Sequence, residues 1–343
     1  MTSLKGMMAC ITARFYLSGV IRLCLMVPSA FPIIAVDAFE PQDEAMGTKR
    51  KHWFVRDELR GSRRYLSRWL FKYSQEGTGQ DWAEKIACEL ADRLDLPHAQ
   101  VELASYHGYR GCMVKSVLTS HARDVLVHGN ELLWEFDPTY EKDQRSPSTH
   151  TVGRVLATLD DCNIGPPRSP RTNQPHHGLL RGSDWFVGYL MLDALIGNTD
   201  RHHENWAIVQ PKSEVGSSSE RTLAPSFDHG SSLSRELRDE ERAWRLREGW
   251  ATAGVAYANR ARSGLFEASS DKRPVHPRAA FLLAATKRPE AAKLFLQRLQ
   301  SVEEIFIDEV IERIPQERMS ADSKRFVALL IRDNRVRILE AAQ

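Results

Sequence analysis

The chain has 343 residues, 42% of them apolar and 27% charged, with a formal net charge of +2. That length suits one large two-lobed domain or two small ones, the composition is ordinary for a globular protein, and the charge carries no global polyanion-binding signal. The five cysteines (Cys10, Cys24, Cys88, Cys112, Cys162) are scattered and form no CxxC pair. This pattern fits a reducing cytosol and argues against a disulfide framework or a structural zinc.

Residues 1–48 differ from the rest. They include the apolar run Leu23 to Val36, preceded by Lys5, Arg14 and Arg22. A basic start before an apolar run is the pattern of a secretory signal. However, Arg14 and Arg22 interrupt the stretch, and Pro28 and Pro32 break any spanning helix. The preferred expectation is an extension outside the fold, with translation starting as late as Met46. No stretch elsewhere is long and apolar enough to span a membrane, so the expected location is the cytoplasm.

From Lys49 the pattern is globular. Asp57 to Tyr65 predicts a turn between strands, with Gly61 and Ser62 at its tip, and Trp69 to Tyr73 a strand bearing Lys72. A helix is predicted up to Leu94, with Asp81 as its cap. Glu84 then falls at the capping-box position, and Trp82, Ile86, Leu90 and Leu94 repeat at helical spacing. A lysine on a strand and a glutamate on the following helix is also half of a phosphate-binding arrangement: the lysine holds nucleotide phosphates and the glutamate holds the lysine. Strands are predicted at Val101 to Ser105 and Gly111 to Leu118. A hinge over an adenine edge would fall near Ser116 to Thr119. Residues 49–120 thus form a small nucleotide-binding lobe, and residues 121–343 a helical catalytic lobe.

The second lobe opens at Leu126 to Phe136. Residues 137–183 are polar and rich in proline, with a helix from Val152 to Leu159. An apolar helix, Trp185 to Ile196, then runs into Gly197-Asn-Thr-Asp-Arg-His-His-Glu-Asn205, and the apolar stretch Trp206 to Val209 comes next. A further apolar stretch ends at Phe227-Asp-His-Gly230. Asp200, Asn205 and Asp228 thus show the spacing Asp-x4-Asn, then Asp-x-Gly. Phosphoryl transfer needs these groups: one carboxylate to orient the acceptor hydroxyl, and oxygen ligands for magnesium. Singly, each is more simply a turn cap or a surface acid. Together, beside apolar runs, they point to chemistry. His202 is expected to hold the loop by hydrogen bonding, and a zinc site of His202, His203 and His229 lacks the spacing of zinc signatures. Ser231, Ser232 and Ser234 lie where an activation segment would be. The charged run Ser234 to Arg247 reads as a solvated helix, and Ala279 to Ala341 as a helical bundle.

With both halves in view, the chain resembles the HipA-like kinases. The residues that carry this are Asp193 to Trp206 and Phe227 to Leu233, supported by Phe71 to Ser74 and Trp82 to Leu90. The resemblance covers roughly residues 50–340. It implies an α+β, bilobal protein-kinase-like fold, with a small β-rich N-lobe and a larger, mostly helical C-lobe. It also implies ATP and Mg2+ as cofactors and a protein serine or threonine as acceptor. Asp200 would be the catalytic carboxylate, Asn205 and Asp228 would hold magnesium, and Lys72, oriented by Glu84, would contact the phosphates. There is no GxGxxG loop, only Gly61 and Ser62, so the phosphate cover is built differently. HipA toxins carry an added amino-terminal region that binds an antitoxin, and residues 1–48 are too short and too apolar to supply one. A lipid or small-molecule kinase and a nucleotide-binding pseudokinase are the alternatives.

Overall fold

The computed structural model describes residues 29–38, 41–42, 51–60, 63–168, 179–212 and 220–342. The chain is mixed α/β. Strands β1 (Ile33–Ala35), β2 (Pro41–Gln42), β3 (Lys51–Arg60), β4 (Arg63–Tyr73), β5 (Val101–Tyr106) and β6 (Tyr109–Lys115) form one sheet, in the order β1-β5-β6-β4-β3-β2. A second, three-stranded sheet is built from β7 (Asp124–His128), β8 (Ala207–Pro211) and β9 (Thr222–Leu223). Ten α-helices lie among the described residues: α1 (Gln80–Arg93), α2 (Gly129–Phe136), α3 (Val152–Asp161), α4 (Gly182–Ile196), α5 (Asp239–Glu248), α6 (Val255–Ala258), α7 (Pro277–Lys287), α8 (Pro289–Gln300), α9 (Glu304–Glu312) and α10 (Ala321–Ala341). None is long and apolar enough to cross a membrane.

The first sheet has two differently used faces because side chains alternate along a strand. Trp69 and Phe71 of β4 join Phe54, Tyr106, Met113 and Val36 in an aromatic cluster. Tyr73 packs edge-on against Phe71, with ring centroids 4.8 Å apart. Lys72 alternates to the other face. There its neighbour in register is Cys112, which packs with Cys88 of α1. The two-residue periodicity therefore aims the lysine at the helix.

The sequence places Asp81 at the N-cap of this helix and Glu84 in a capping box. Instead, Gly79 is the N-cap, with no side-chain cap bond, and Asp81 lies inside the first turn. Asp81 is fully buried and grips Arg110 through both oxygens at 2.8 Å and Arg318 at 3.0 Å. Two arginines brought in by the fold outcompete the local cap, since a buried carboxylate needs charged partners.

The expectation that residues 1–48 lie wholly outside the fold is also corrected. Strand β1 pairs in parallel with β5, with Ile33 opposite Leu103 and Ala35 opposite Ser105. Phe31 is buried beneath Arg313, whose guanidinium carbon sits 3.9 Å from the ring centre, and Val36 is fully buried. Phe31 and Val36 thus belong to the core.

Helix α4 is buried on every side, as a helix that is hydrophobic all round should be. It packs among α3, α7, α8 and α10. A Cβ on Gly188 would fall 2.6 Å from the Phe295 ring, so this glycine permits the close approach of α8. The helix ends at Gly197, in the left-handed conformation (φ 62°) that favours glycine. From Gly197 the chain enters the loop that carries the candidate site.

Candidate active site

Three elements meet at Lys72. Its ammonium donates to Glu84 Oε1 of α1 at 2.9 Å and to Asp228 Oδ1 at 2.9 Å. Burial alone would depress this lysine, but Asp228 and then Glu84 overcome it and hold its pKa above the usual range. The second Glu84 oxygen accepts from the backbone N–H of His229 at 2.9 Å. Glu84 is thus a bridge between strand β4 and the Asp228–Gly230 turn, not a capping residue. Gly230 leaves room for it, since a Cβ there would sit 3.1 Å from Glu84 Cγ. Asp228 has φ 61°, a left-handed conformation that is uncommon for a non-glycine residue and that concentrates at functional sites.

The loop after α4 is fixed from beneath by a buried ion pair. Arg201 is fully buried, and its guanidinium binds both oxygens of Asp193, in the last turn of α4, at 2.7 and 2.8 Å. The same guanidinium donates to the carbonyls of Asn205 and Phe227 and to Ser226 Oγ. One side chain therefore sets the backbone beside both Asn205 and Asp228. Asn198 adds a second tie, donating to Asp193 Oδ1 at 2.8 Å and accepting from the Asp200 N–H at 3.1 Å.

Asp200 stands at the exposed side of this loop. Its carboxylate is gripped by Arg145, whose Nη2 lies 3.1 and 3.2 Å from the two oxygens, and Ser231 Oγ lies at 3.4 Å. The Arg145 side chain is itself 63% exposed. The Asn205 amide nitrogen donates to the Asp200 carbonyl, which leaves Asn205 Oδ1 as its ligand atom. Asn205 Oδ1 and the Asp228 carboxylate are an amide oxygen and an acid, a donor pair that suits magnesium when phosphate and water supply the remaining positions.

The histidines are tied into their surroundings, and His202 Nε2 lies 3.7 Å from Asp200 Oδ1. His229 Nε2 lies 2.8 Å from Ser226 Oγ, His203 Nδ1 lies 2.8 Å from the Tyr140 hydroxyl, and His202 Nδ1 accepts from the Glu204 N–H. Burial keeps all three below the usual histidine range, His203 at about 4. Among the described residues no three His, Cys, Asp or Glu side chains are grouped to hold a metal ion. Ser232 and Ser234 are buried and bonded, Ser232 to the His229 carbonyl and Ser234 to Arg242.

Of the residues singled out in the sequence, Lys72, Glu84 and Asp228 are in direct contact, and Asp200 and Asn205 share one short loop. Gly61 and Ser62 lie outside the described residues. Sequence reasoning gave no separate role to Asp193, Arg201 or Asn198. The signal was present, since Asp193 closes an otherwise apolar helix and Arg201 sits inside the motif.

The fold resembles that of a solved bacterial protein. The proinflammatory kinase CtkA of Helicobacter pylori superposes with a TM-score of 0.68 over 91% of this chain and 97% of its own, at 18% identity. In sequence the chain is 24% identical over 160 residues to the serine/threonine-protein kinase CtkA of H. pylori strain J99. That stretch is 46% of this chain, and it spans only 42% of the curated relative's length. The HipA toxin of Shewanella oneidensis, solved with HipB and operator DNA, overlaps more loosely, with a TM-score of 0.44, 13% identity, and coverage of 90% of this chain and 66% of its own. No protein-family model matches the chain. The kinase resemblance read from the sequence is met again in CtkA.

Proposed function

We propose that the chain is a bilobal, HipA-like kinase that transfers the γ-phosphate of ATP, with magnesium, to a serine or threonine hydroxyl of a protein. The observation that carries this reading is the Lys72 ammonium, held at 2.9 Å by Glu84 from α1 and at 2.9 Å by Asp228, 156 residues further along. A lysine so poised between a helix glutamate and a metal-binding aspartate is how kinases present a cation to nucleotide phosphates. The names of the similar proteins, both kinases with matching folds or sequence segments, support the same class.

Each residue then has a role. Lys72 neutralises phosphate oxygens, and Glu84 keeps its ammonium from collapsing onto Asp228 alone. Asn205 Oδ1 and the Asp228 carboxylate would hold magnesium, which when bound neutralises charge on the phosphates. Asp200 accepts a hydrogen bond from the acceptor hydroxyl, orients its oxygen and takes its proton as the new phosphate ester bond forms and the bond from the γ-phosphorus to the β-phosphate oxygen breaks, releasing ADP. Arg145 must shift, or share the carboxylate, for that hydroxyl to approach.

The test is incubation with γ-labelled ATP and magnesium, alone and with a lysate, beside Asp228→Asn. Label on lysate proteins, absent with the variant, is the expected result. Label only in the lipid extract would move the acceptor class to lipid. Nucleotide binding with no label anywhere would make the chain a pseudokinase and refute transfer.

A further inference from the structure

Between Asn259 and Arg278 the chain carries five basic residues, Arg260, Arg262, Lys272, Arg273 and Arg278, against two acids, Glu267 and Asp271. That excess is larger than the +2 of the whole chain, so the remainder is slightly acidic. Arg260, Arg262, Lys272 and Arg273 are exposed, and none of the five has an acidic partner among the described residues. Asp271 is half-buried and accepts from the Ala268 N–H at 2.9 Å, while Glu267 is exposed. The His276 ring titrates low, first through burial and also through Arg278 and Arg262, which therefore stand near it.

This segment lies against the candidate catalytic loop. A Cβ on Gly264 would fall 2.4 Å from the His202 backbone nitrogen. Phe266 donates from its N–H to the His150 carbonyl at 3.0 Å, and Ser148 Oγ donates to the Ser269 carbonyl at 2.8 Å. Ser148 belongs to the loop that brings Arg145 onto Asp200. A cavity of about 130 Å³ opens where Thr199, Ser234, Arg260 and His276 converge, one residue from Asp200. Arg260 lines this cavity together with Glu236, and the segment that carries the band packs on the backbone at His202, two residues from Asp200.

We propose that this band is the docking surface for the acceptor protein, and that the acceptor hydroxyl lies in an acidic stretch of polypeptide. The proposal rests on the kinase reading above. Exposed charge runs are usually just solvated. This one is set apart by lacking acidic partners and by belonging to a segment packed on the loop that carries the carboxylate meant to receive the hydroxyl. Four of the five are arginines, whose planar fork matches carboxylates. A nucleic-acid partner calls for a broadly basic protein, and this chain is close to neutral.

The test uses two fluorescent serine peptides, one flanked by Asp and Glu, the other by Gly and Asn. Binding is read by anisotropy at low and high salt, for the wild type and for Arg260→Glu/Arg262→Glu and Lys272→Glu/Arg273→Glu. The acidic peptide should bind at least about tenfold tighter at low salt, and each double reversal should remove most of that preference. High salt should erase it. ATP affinity should stay within about twofold, as the band lies apart from Lys72 and Asp228. Equal binding of the two peptides, or no effect of either reversal, overturns the proposal. So does tighter binding to a single-stranded oligonucleotide or to anionic vesicles. Circular dichroism checks that the variants fold, with the glutamine versions as substitutes if they do not. Labelled-ATP turnover separates the two readings: equal transfer to both peptides keeps the kinase and sinks the acidic acceptor. Absence of transfer to any acceptor sinks the kinase, while peptide binding still decides the surface.

Discussion

Arg201→Met should destabilise the protein by about 3 kcal/mol or more and disable the site. The side chain is fully buried and bonded on both Asp193 oxygens, two backbone carbonyls and a serine. Removing it strands the buried Asp193 carboxylate, and breaking a buried pair from one side costs about 3–5 kcal/mol. Asn198 still donates to Asp193 at 2.8 Å, which places the loss toward the lower end. Against a typical stability of about 5–15 kcal/mol this is severe yet survivable. The melting temperature should drop by about 4–7 °C for a chain this long. Asp193→Leu combined with Arg201→Met should recover much of the loss, because no unpaired charge remains. Urea titration of the wild type, both single variants and the double variant gives the coupling, expected at about 2–3 kcal/mol. Turnover should not recover in the double variant, because the carbonyls of Asn205 and Phe227 have lost their shared donor. If the single variant costs less than about 1 kcal/mol, or the two simply add, the ion pair is not the loop's anchor.

Asp200→Ala should lower turnover by about 10²–10⁴-fold with little change in ATP affinity, while Lys72→Ala should weaken ATP binding as well. Isothermal titration beside a turnover assay reads the two, and the reverse pattern would refute the assigned roles. Phe31→Ala should cost about 3 kcal/mol in chemical denaturation, since it empties a buried site; an unchanged midpoint would show that the segment before β1 only rests on the domain. Stability should also fall in acid. Burial holds His150 at about 3 and His203 at about 4, so both are neutral in the folded chain while the unfolded chain binds protons below the ordinary value of 6.5. Folded pKa values below the unfolded ones mean stability that is present above 6.5 and lost as pH falls toward 4 and 3, at up to about 1.4 kcal/mol per pH unit for each ring. Urea midpoints between neutral and mildly acidic pH measure the slope, and His150→Phe should flatten it.

The parts of the site legible in the sequence were those whose chemistry survives as spacing. Asp200, Asn205 and Asp228 sit beside apolar runs that fix where loops begin, and Lys72 and Glu84 fall on a strand and a helix that each announce themselves by periodicity. What stayed hidden depended on partners distant in the chain. Asp81 looks like a cap until Arg318, 237 residues on, is folded against it. Arg201 is the exception, since its partner Asp193 is only eight residues away and a lone acid at the end of an apolar helix was the sign to read. Phe31 to Val36 is apolar in a way that serves equally for a leader and for core, and only the pairing with Leu103 to Ser105 separates the two. Arg145 sits in a polar stretch without periodicity, so its hold on Asp200 could not be read in advance.

Strand β1 has a consequence for how the protein behaves among its own copies. It covers the outer N–H and C=O groups of β5, whose sequence Val101-Glu-Leu-Ala-Ser-Tyr106 is mostly buried. An uncovered edge of this kind is a template for pairing with another chain. A protein begun at Met46 would present that edge bare, and copies could then join strand to strand through β5. The short segment from Ile33 to Ala35 is in this sense an internal plug against pairing through β5, and shortened versions of the chain should be judged first by whether they associate more than the full chain does.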